Sequence, residues 1–178
     1  IVKKLVEMMH GEIKIHSRMG EGSTFTIRIP CRIATVEDTQ TKRAQVHPDG
    51  KPLVGKRILL AEDNDLNAEI AIALLEEEGL LVERAADGVK CMEMLERAPA
   101  HYYELILMDI QMPILGGYDT TRKIRKMADA EKAAIPIIAM TANAFAEDKQ
   151  RALEAGMNDH VAKPIDMNKL IPTLQKYI

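Results

Sequence analysis

Through residues 56–178 the apolar positions fall into short continuous runs: Ile58-Leu59-Leu60-Ala61, Leu80-Leu81-Val82, Leu105-Ile106-Leu107-Met108, Ile135 to Met140, and His160-Val161-Ala162. Runs of this length bounded by turn residues predict buried strands. Between them the period becomes helical. Asp65 to Glu78 sets Leu66, Ile70, Ala73 and Leu74 on one face and stops at Gly79. Asp166 to Tyr177 aligns Met167, Leu170, Ile171, Leu174 and Ile178, with Asp166 in the N-cap position. Five apolar strands alternating with five helices predict an α/β doubly wound domain, a parallel sheet covered on both faces. Right-handed crossovers leave few topologies, and the strand order 2-1-3-4-5 is a common one.

The N-terminal residues follow another pattern. Ile1 to Met9 has apolar residues at 1, 2, 5, 6, 8 and 9, which is helical spacing without an N-cap, begun in mid-pattern without a Met start. Gly11 is the expected helix stop. Glu12 to His16 and Thr24 to Ile29 alternate, with Phe25, Ile27 and Ile29 on one face, and predict two adjacent antiparallel strands. So short an α+β fragment encloses no core of its own, as expected of the tail of a larger domain. From Ile33 to Val54 periodicity is lost, and Pro48-Asp49-Gly50-Lys51-Pro52 closes the stretch. The expected division is a fragment over 1–30, a solvated linker over 31–55 and a domain over 56–178.

Composition narrows the function classes. Lys plus Arg is 24 and Asp plus Glu is 27 in 178 residues, a net charge of −3 with scattered cations, which argues against a nucleic-acid partner. The longest apolar stretch, Ala133 to Ala146, contains Pro136, Thr141 and Asn143 and is shorter than the ~20 residues that span a bilayer, so no membrane contact is expected of it. The two cysteines, Cys31 and Cys91, have no metal spacing and predict a reducing, cytoplasmic setting. The methionines sit mostly at core positions and read as filling. His10, His16, His47 and His101 show no ligand spacing and read as surface residues.

Ligands of a doubly wound sheet bind beyond the carboxyl ends of its strands. After the first strand of the domain stand Glu62-Asp63, at the end of the third Asp109, at the end of the fourth Thr141, and after the fifth Lys163-Pro164. The second strand is at the sheet edge and ends in Ala85-Ala86-Asp87-Gly88, outside the cluster. Singly, each residue has a plain structural use. Asp63 or Asn64 can cap the next helix, Asp109 can be a turn residue, and Lys163-Pro164 can be a loop, with a cis bond as one way of aiming the lysine. Together they converge. Three crowded carboxylates repel unless a cation sits among them, and oxygen ligands at an open site suit Mg²⁺ or Mn²⁺. A metal there neutralises an incoming phosphoryl group and leaves one carboxylate free to attack it, giving an acyl phosphate. Lys163 and Thr141 are the further donors to its oxygens.

At this point the chain resembles a known family. Lys56 to Ile178 resembles a response-regulator receiver domain through Leu60-Ala61-Glu62-Asp63-Asn64, Leu107-Met108-Asp109-Ile110-Gln111-Met112-Pro113, Met140-Thr141-Ala142 and Ala162-Lys163-Pro164. The resemblance implies a flavodoxin-like fold and Asp109 as phosphoacceptor. It implies a Mg²⁺ or Mn²⁺ ion held by Glu62, Asp63, Asp109 and the Gln111 backbone carbonyl. Thr141 is implied as the switch hydroxyl and Lys163 as the phosphoryl-binding amine, with His160 at the position of a rotating aromatic. Gly116-Gly117 stand where the family often has Asp-Gly, a change expected to loosen the start of the third helix and to touch no catalytic group.

Gly20-Glu21-Gly22-Ser23-Thr24-Phe25 resembles the last glycine box of a histidine-kinase ATP-binding domain. Kinase tail, linker and receiver follow the order of a hybrid sensor histidine kinase begun partway, with the ATP-binding boxes and the phosphorylated histidine expected upstream. The implied partners are the kinase phosphohistidine domain and a histidine phosphotransfer protein. The fragment itself is expected to catalyse only phosphorylation and dephosphorylation of Asp109. The alternative is an aspartate-nucleophile phosphatase. That class resembles Asp-x-Asp at its nucleophile, and Gln111 in the second position cannot serve as acid and base.

Overall fold

The computed structural model describes residues 3, 6, 7, 10–20, 22–30, 53–142 and 146–178. They belong to two compact units, Ile1–Pro48 and Asp49–Ile178. In the first, β1 (Glu12–Arg18) and β2 (Gly22–Arg28) pair antiparallel, as the alternation predicts. Ile13 lies opposite Ile27, and Ile15 opposite Phe25. Opposed residues share a face, and this one leaves Ile15 62% and Phe25 64% exposed. The preceding helical segment ends differently from expectation. The left-handed residue is His10 (φ 56°), whereas Gly11 is required by close approach: a Cβ there would lie 2.5 Å from the Arg28 carbonyl oxygen. Most of the stretch read as a linker, with Cys31 and His47, lies outside the described residues.

The second unit is built on β3 (Arg57–Ala61), β4 (Leu81–Ala85), β5 (Leu105–Asp109), β6 (Ile137–Thr141) and β7 (Asp159–Ala162). All pairings are parallel and the order is β4-β3-β5-β6-β7, the expected 2-1-3-4-5 counted from β3. Helices α1 (Asp65–Glu77) and α6 (Met167–Tyr177) cover one face. Helices α2 (Gly88–Arg97), α3 (Gly117–Ile124) and α5 (Ala146–Ala155) cover the other. A short helix, α4 (Ala130–Ala134), was not foreseen; the Asp129 carboxylate caps it. Ile58, Leu60, Leu105 and Leu107 fill the first layer, and Leu59, Ile106, Met108 and Ile137 the second, all without exposure. Two-sided burial explains why these strands read as unbroken apolar runs. Leu53 packs into the first layer, so the end of the stretch read as linker joins this core.

Several boundaries shift by one to three residues from the sequence reading, and two of them, with one helix face, have a clear physical cause. β6 starts at Ile137, not Ile135, because Pro136 has no N–H to give the ladder and its carbonyl accepts from Ile106 instead. β4 runs on to Ala85 through Glu83 and Arg84, whose charges are accommodated at a sheet edge. Glu83 pairs with Arg57 at 2.7 Å and accepts hydrogen bonds from the hydroxyls of Tyr102 (2.7 Å) and Tyr103 (2.6 Å). Burial opposes its charge, but these donors outweigh burial and hold its carboxyl below the usual range. α1 ends at Glu77, one residue early. Its buried face is Ala68, Ala71 and Leu75, while Leu66 is 65% and Ile70 51% exposed. The small alanines let the helix lie close on the sheet, which turns the larger side chains outward. In α6 the expected face is buried, with Leu170 and Leu174 at its centre and Asp166 capping.

At the amino edge of the sheet, Arg125 ties three segments. Its guanidinium donates to Gly156 O (2.8 Å), Ala133 O (2.7 Å), Ile135 O (2.8 Å) and Asn158 Oδ1 (2.9 Å). Truncation would leave these acceptors without their donor, at ~1–3 kcal/mol for each one that water cannot reach. We expect Arg125→Ala to lower stability by roughly 2–4 kcal/mol, with Arg125→Lys in between, as read by urea unfolding.

Candidate functional site

The strand ends deliver the predicted residues to one edge. Glu62 and Asp63 directly follow β3, and the Glu62 N–H donates to Ala85 O at 3.0 Å, so the loop leaves the sheet still paired. Asn64, not Asp63, caps α1, accepting from the Asn67 N–H at 3.0 Å. Asp63 is therefore released from a structural duty. Asp109 and Thr141 are the last residues of β5 and β6. The Lys163 N–H donates to Thr141 O at 2.7 Å, and the Lys163–Pro164 bond is cis.

Oxygens of Glu62, Asp63 and Asp109 lie within 4.8 Å of one another. Lys163 Nζ donates to Asp109 Oδ2 at 2.7 Å and also to Glu62 Oε2. The other oxygen of each buried carboxylate is engaged as well: Asp109 Oδ1 accepts from the Gln111 N–H at 3.1 Å, and Glu62 Oε1 from Asn67 Nδ2 at 3.0 Å. Asn67 escaped the sequence reading. Its signal was faint, a polar residue one turn into α1 and five after Glu62. Glu62 is 2% and Asp109 6% exposed, whereas Asp63 is open to solvent. Burial pushes the Asp109 carboxyl above its ordinary value; the Lys163 and Gln111 hydrogen bonds oppose this without cancelling it. For Lys163 burial works downward, but Asp109 and Glu62 outweigh it and the amine is held above its ordinary value.

Two further residues complete the picture. Thr141 and His160 lie on the same face of the sheet, since His160 pairs with Ala139, two residues before Thr141. Thr141 is 3% exposed. The His160 ring is partly buried, and its Nδ1 has no hydrogen-bond partner among the described residues. Gly117 corrects an expectation. A Cβ at Gly117 would lie 2.2 Å from the Asp109 carbonyl oxygen, so this glycine bears directly on the backbone of the site. Gly116 is the residue that leaves α3 without a side-chain cap. A groove of about 340 Å³ opens beside the acidic cluster, lined in part by Asn67, Ile70, Ala71, Lys163, Pro164 and Ile165.

Chemically, the site offers hard oxygen donors in excess of the Lys163 ammonium seated among them, the environment that a small divalent ion requires. The raised Asp109 pKa fixes the sign of a stability effect. A carboxyl raised in the folded state destabilises the fold once ionised; the cost is absent below its unfolded pKa and full above its folded pKa. We therefore expect Asp109→Asn to be more stable than the parent at neutral pH in metal-free buffer. The advantage should shrink as pH falls through the carboxyl range, as read by thermal melts across pH.

Comparison with known proteins agrees with this geometry. Residues 58–175 match the response regulator receiver domain. The chain is 40% identical over 172 residues to the autoinducer 2 sensor kinase/phosphatase LuxQ of Vibrio vulnificus, covering 96% of this chain and 19% of that protein. It is 35% identical over 179 residues to the aerobic respiration control sensor protein ArcB of Escherichia coli, covering 99% of this chain and 22% of that protein. It thus spans about a fifth of the length of these curated relatives. The receiver domain of the sensor histidine kinase PA1611 of Pseudomonas aeruginosa, solved with magnesium in its active-site cleft, superposes with a TM-score of 0.62 at 41% identity, over 70% of this chain and 98% of that one. The receiver domain of Ssk1 from Saccharomyces cerevisiae, solved with the histidine phosphotransfer protein Ypd1, superposes with a TM-score of 0.64 at 26% identity, over 71% and 91%. No helix among the described residues is long and apolar enough to cross a membrane. Sheet order, acidic strand-end cluster and sequence match agree, and the chain belongs to the response regulator receiver domain family.

Proposed function

We propose that Asp109 is the phosphoacceptor of this receiver domain, taking a phosphoryl group from a phosphohistidine and passing it to a histidine phosphotransfer protein. The observation that carries this reading is the Lys163 ammonium lodged between Asp109 and Glu62 at the carboxyl edge of the sheet. An Asp109 carboxylate oxygen attacks phosphorus, the P–N bond to the donor imidazole breaks, and the imidazole leaves with its electron pair. Lys163 then exchanges a carboxylate for a phosphoryl oxygen, and the Thr141 hydroxyl is the nearby neutral donor. Glu62, Asp63, Asp109 and the Gln111 carbonyl would hold Mg²⁺, which supplies charge neutralisation to the phosphoryl oxygens. The phosphatase alternative is disfavoured, since a glutamine stands where that chemistry needs an acid. The residues preceding the receiver are read as resembling the tail of a kinase ATP-binding domain. A cytoplasmic setting follows from that reading.

The test is intact mass after incubation with acetyl phosphate and Mg²⁺. We expect one added phosphoryl group, lost on Asp109→Asn and on chelation. Normal stoichiometry in the Asp109→Asn protein would sink the assignment. The shared face of Thr141 and His160 generates a second expectation. A beryllofluoride adduct should shift NMR resonances of α5 and His160 as well as those beside Asp109, and Thr141→Ala should remove the distal shifts while phosphorylation persists. Shifts confined to the loops around Asp109 would refute the coupling.

A further inference from the structure

Of the three clustered carboxylates, two are held by their own hydrogen bonds, Glu62 by Asn67 and Lys163, and Asp109 by Lys163 and Gln111. Asp63 is different. It is exposed, and among the described residues none donates to its carboxylate. What aims it is its backbone, and Arg84 holds that backbone. Arg84 Nε donates to Glu62 O at 3.0 Å, and its terminal nitrogen donates to Asp63 O at 3.0 Å. These two carbonyls belong to the two peptide planes on either side of the Asp63 Cα. Pinning both planes fixes φ and ψ of Asp63, the two soft angles that decide where its side chain departs. The same guanidinium pairs with Asp65 in the first turn of α1 at 2.8 Å, which steadies the clamp from the far side of the loop.

We propose that Arg84 is a positioning residue for the metal site, acting through Asp63; this rests on the reading of the site as a Mg²⁺-dependent phosphoacceptor. The sign of the effect separates positioning from charge. A guanidinium close to the acidic cluster repels a cation, so charge alone predicts tighter Mg²⁺ binding when Arg84 is removed. Loss of positioning predicts weaker binding, because part of the binding energy must then order the loop.

The experiment is Mg²⁺ titration by calorimetry on the parent, Arg84→Ala and Arg84→Gln, with circular dichroism as the check on folding. Gln removes the charge but retains an amide donor. We expect Mg²⁺ affinity to fall roughly 5- to 10-fold in Arg84→Ala, the scale of losing about one net hydrogen bond's worth of preorganisation, and by less in Arg84→Gln. The phosphorylation rate with acetyl phosphate should recover at saturating Mg²⁺, a split that general loss of stability would not produce. Should Arg84→Ala not fold, Arg84→Gln decides alone. Unchanged or tighter Mg²⁺ binding in a folded variant, with the parent binding normally, overturns the inference and leaves the function standing. A parent protein that binds no Mg²⁺ overturns the reading beneath it.

Discussion

The ammonium of Lys163 between Glu62 and Asp109 is the interaction on which the rest of this domain's chemistry depends. Two carboxylates taken almost wholly out of water would each cost several kcal/mol without a compensating charge. One lysine compensates in part. Glu62, Asp63 and Asp109 carry −3 when ionised and Lys163 carries +1, which leaves −2, the complement of a divalent cation. The site is thus stable enough to preform and unbalanced enough to bind.

That balance is possible because a parallel sheet presents every carboxyl end at one edge. Residues separated by more than a hundred positions meet there without any loop having to reach for another. The strand ends are set in two layers of fully buried aliphatic side chains, so the site inherits the rigidity of the core. The register does the rest. Asp109 closes β5 and Thr141 closes β6, one ladder step apart, and Lys163 lies just past the end of β7.

The two edges of the sheet are used in opposite ways. At the amino edge the charge of Arg125 is closed off. Arg125 donates there to backbone and amide oxygens, and Glu83, midway along the edge strand β4, is likewise saturated by Arg57 and two tyrosine hydroxyls. Cys91, buried in the second layer with its thiol pushed up to about 12, is inert. At the carboxyl edge the charges are left unequal, with an open groove beside them. Stability sits at one end of the strands and reactivity at the other.

The sequence by itself determined the strands, their order and the strand-end residues. Two-sided burial writes each central strand as an unbroken apolar run, and the chemistry follows immediately after it. Asp166 as a cap and the α6 stripe were legible for the same reason: both are local patterns. What only the tertiary structure decided depends on distance in space. The buried face of α1 was misread because close packing on the sheet selected Ala68 and Ala71 over the larger Leu66 and Ile70, and a helical period does not record how near the sheet lies. Glu83 and Arg84 did not look like strand residues, since their partners, Tyr102, Tyr103 and the acidic loop, come from other segments. Gly117 looked remote from the site until the Asp109 carbonyl was seen to fill the space of its absent Cβ. Local pattern specifies the elements; contacts between elements specify which side chain aims at which.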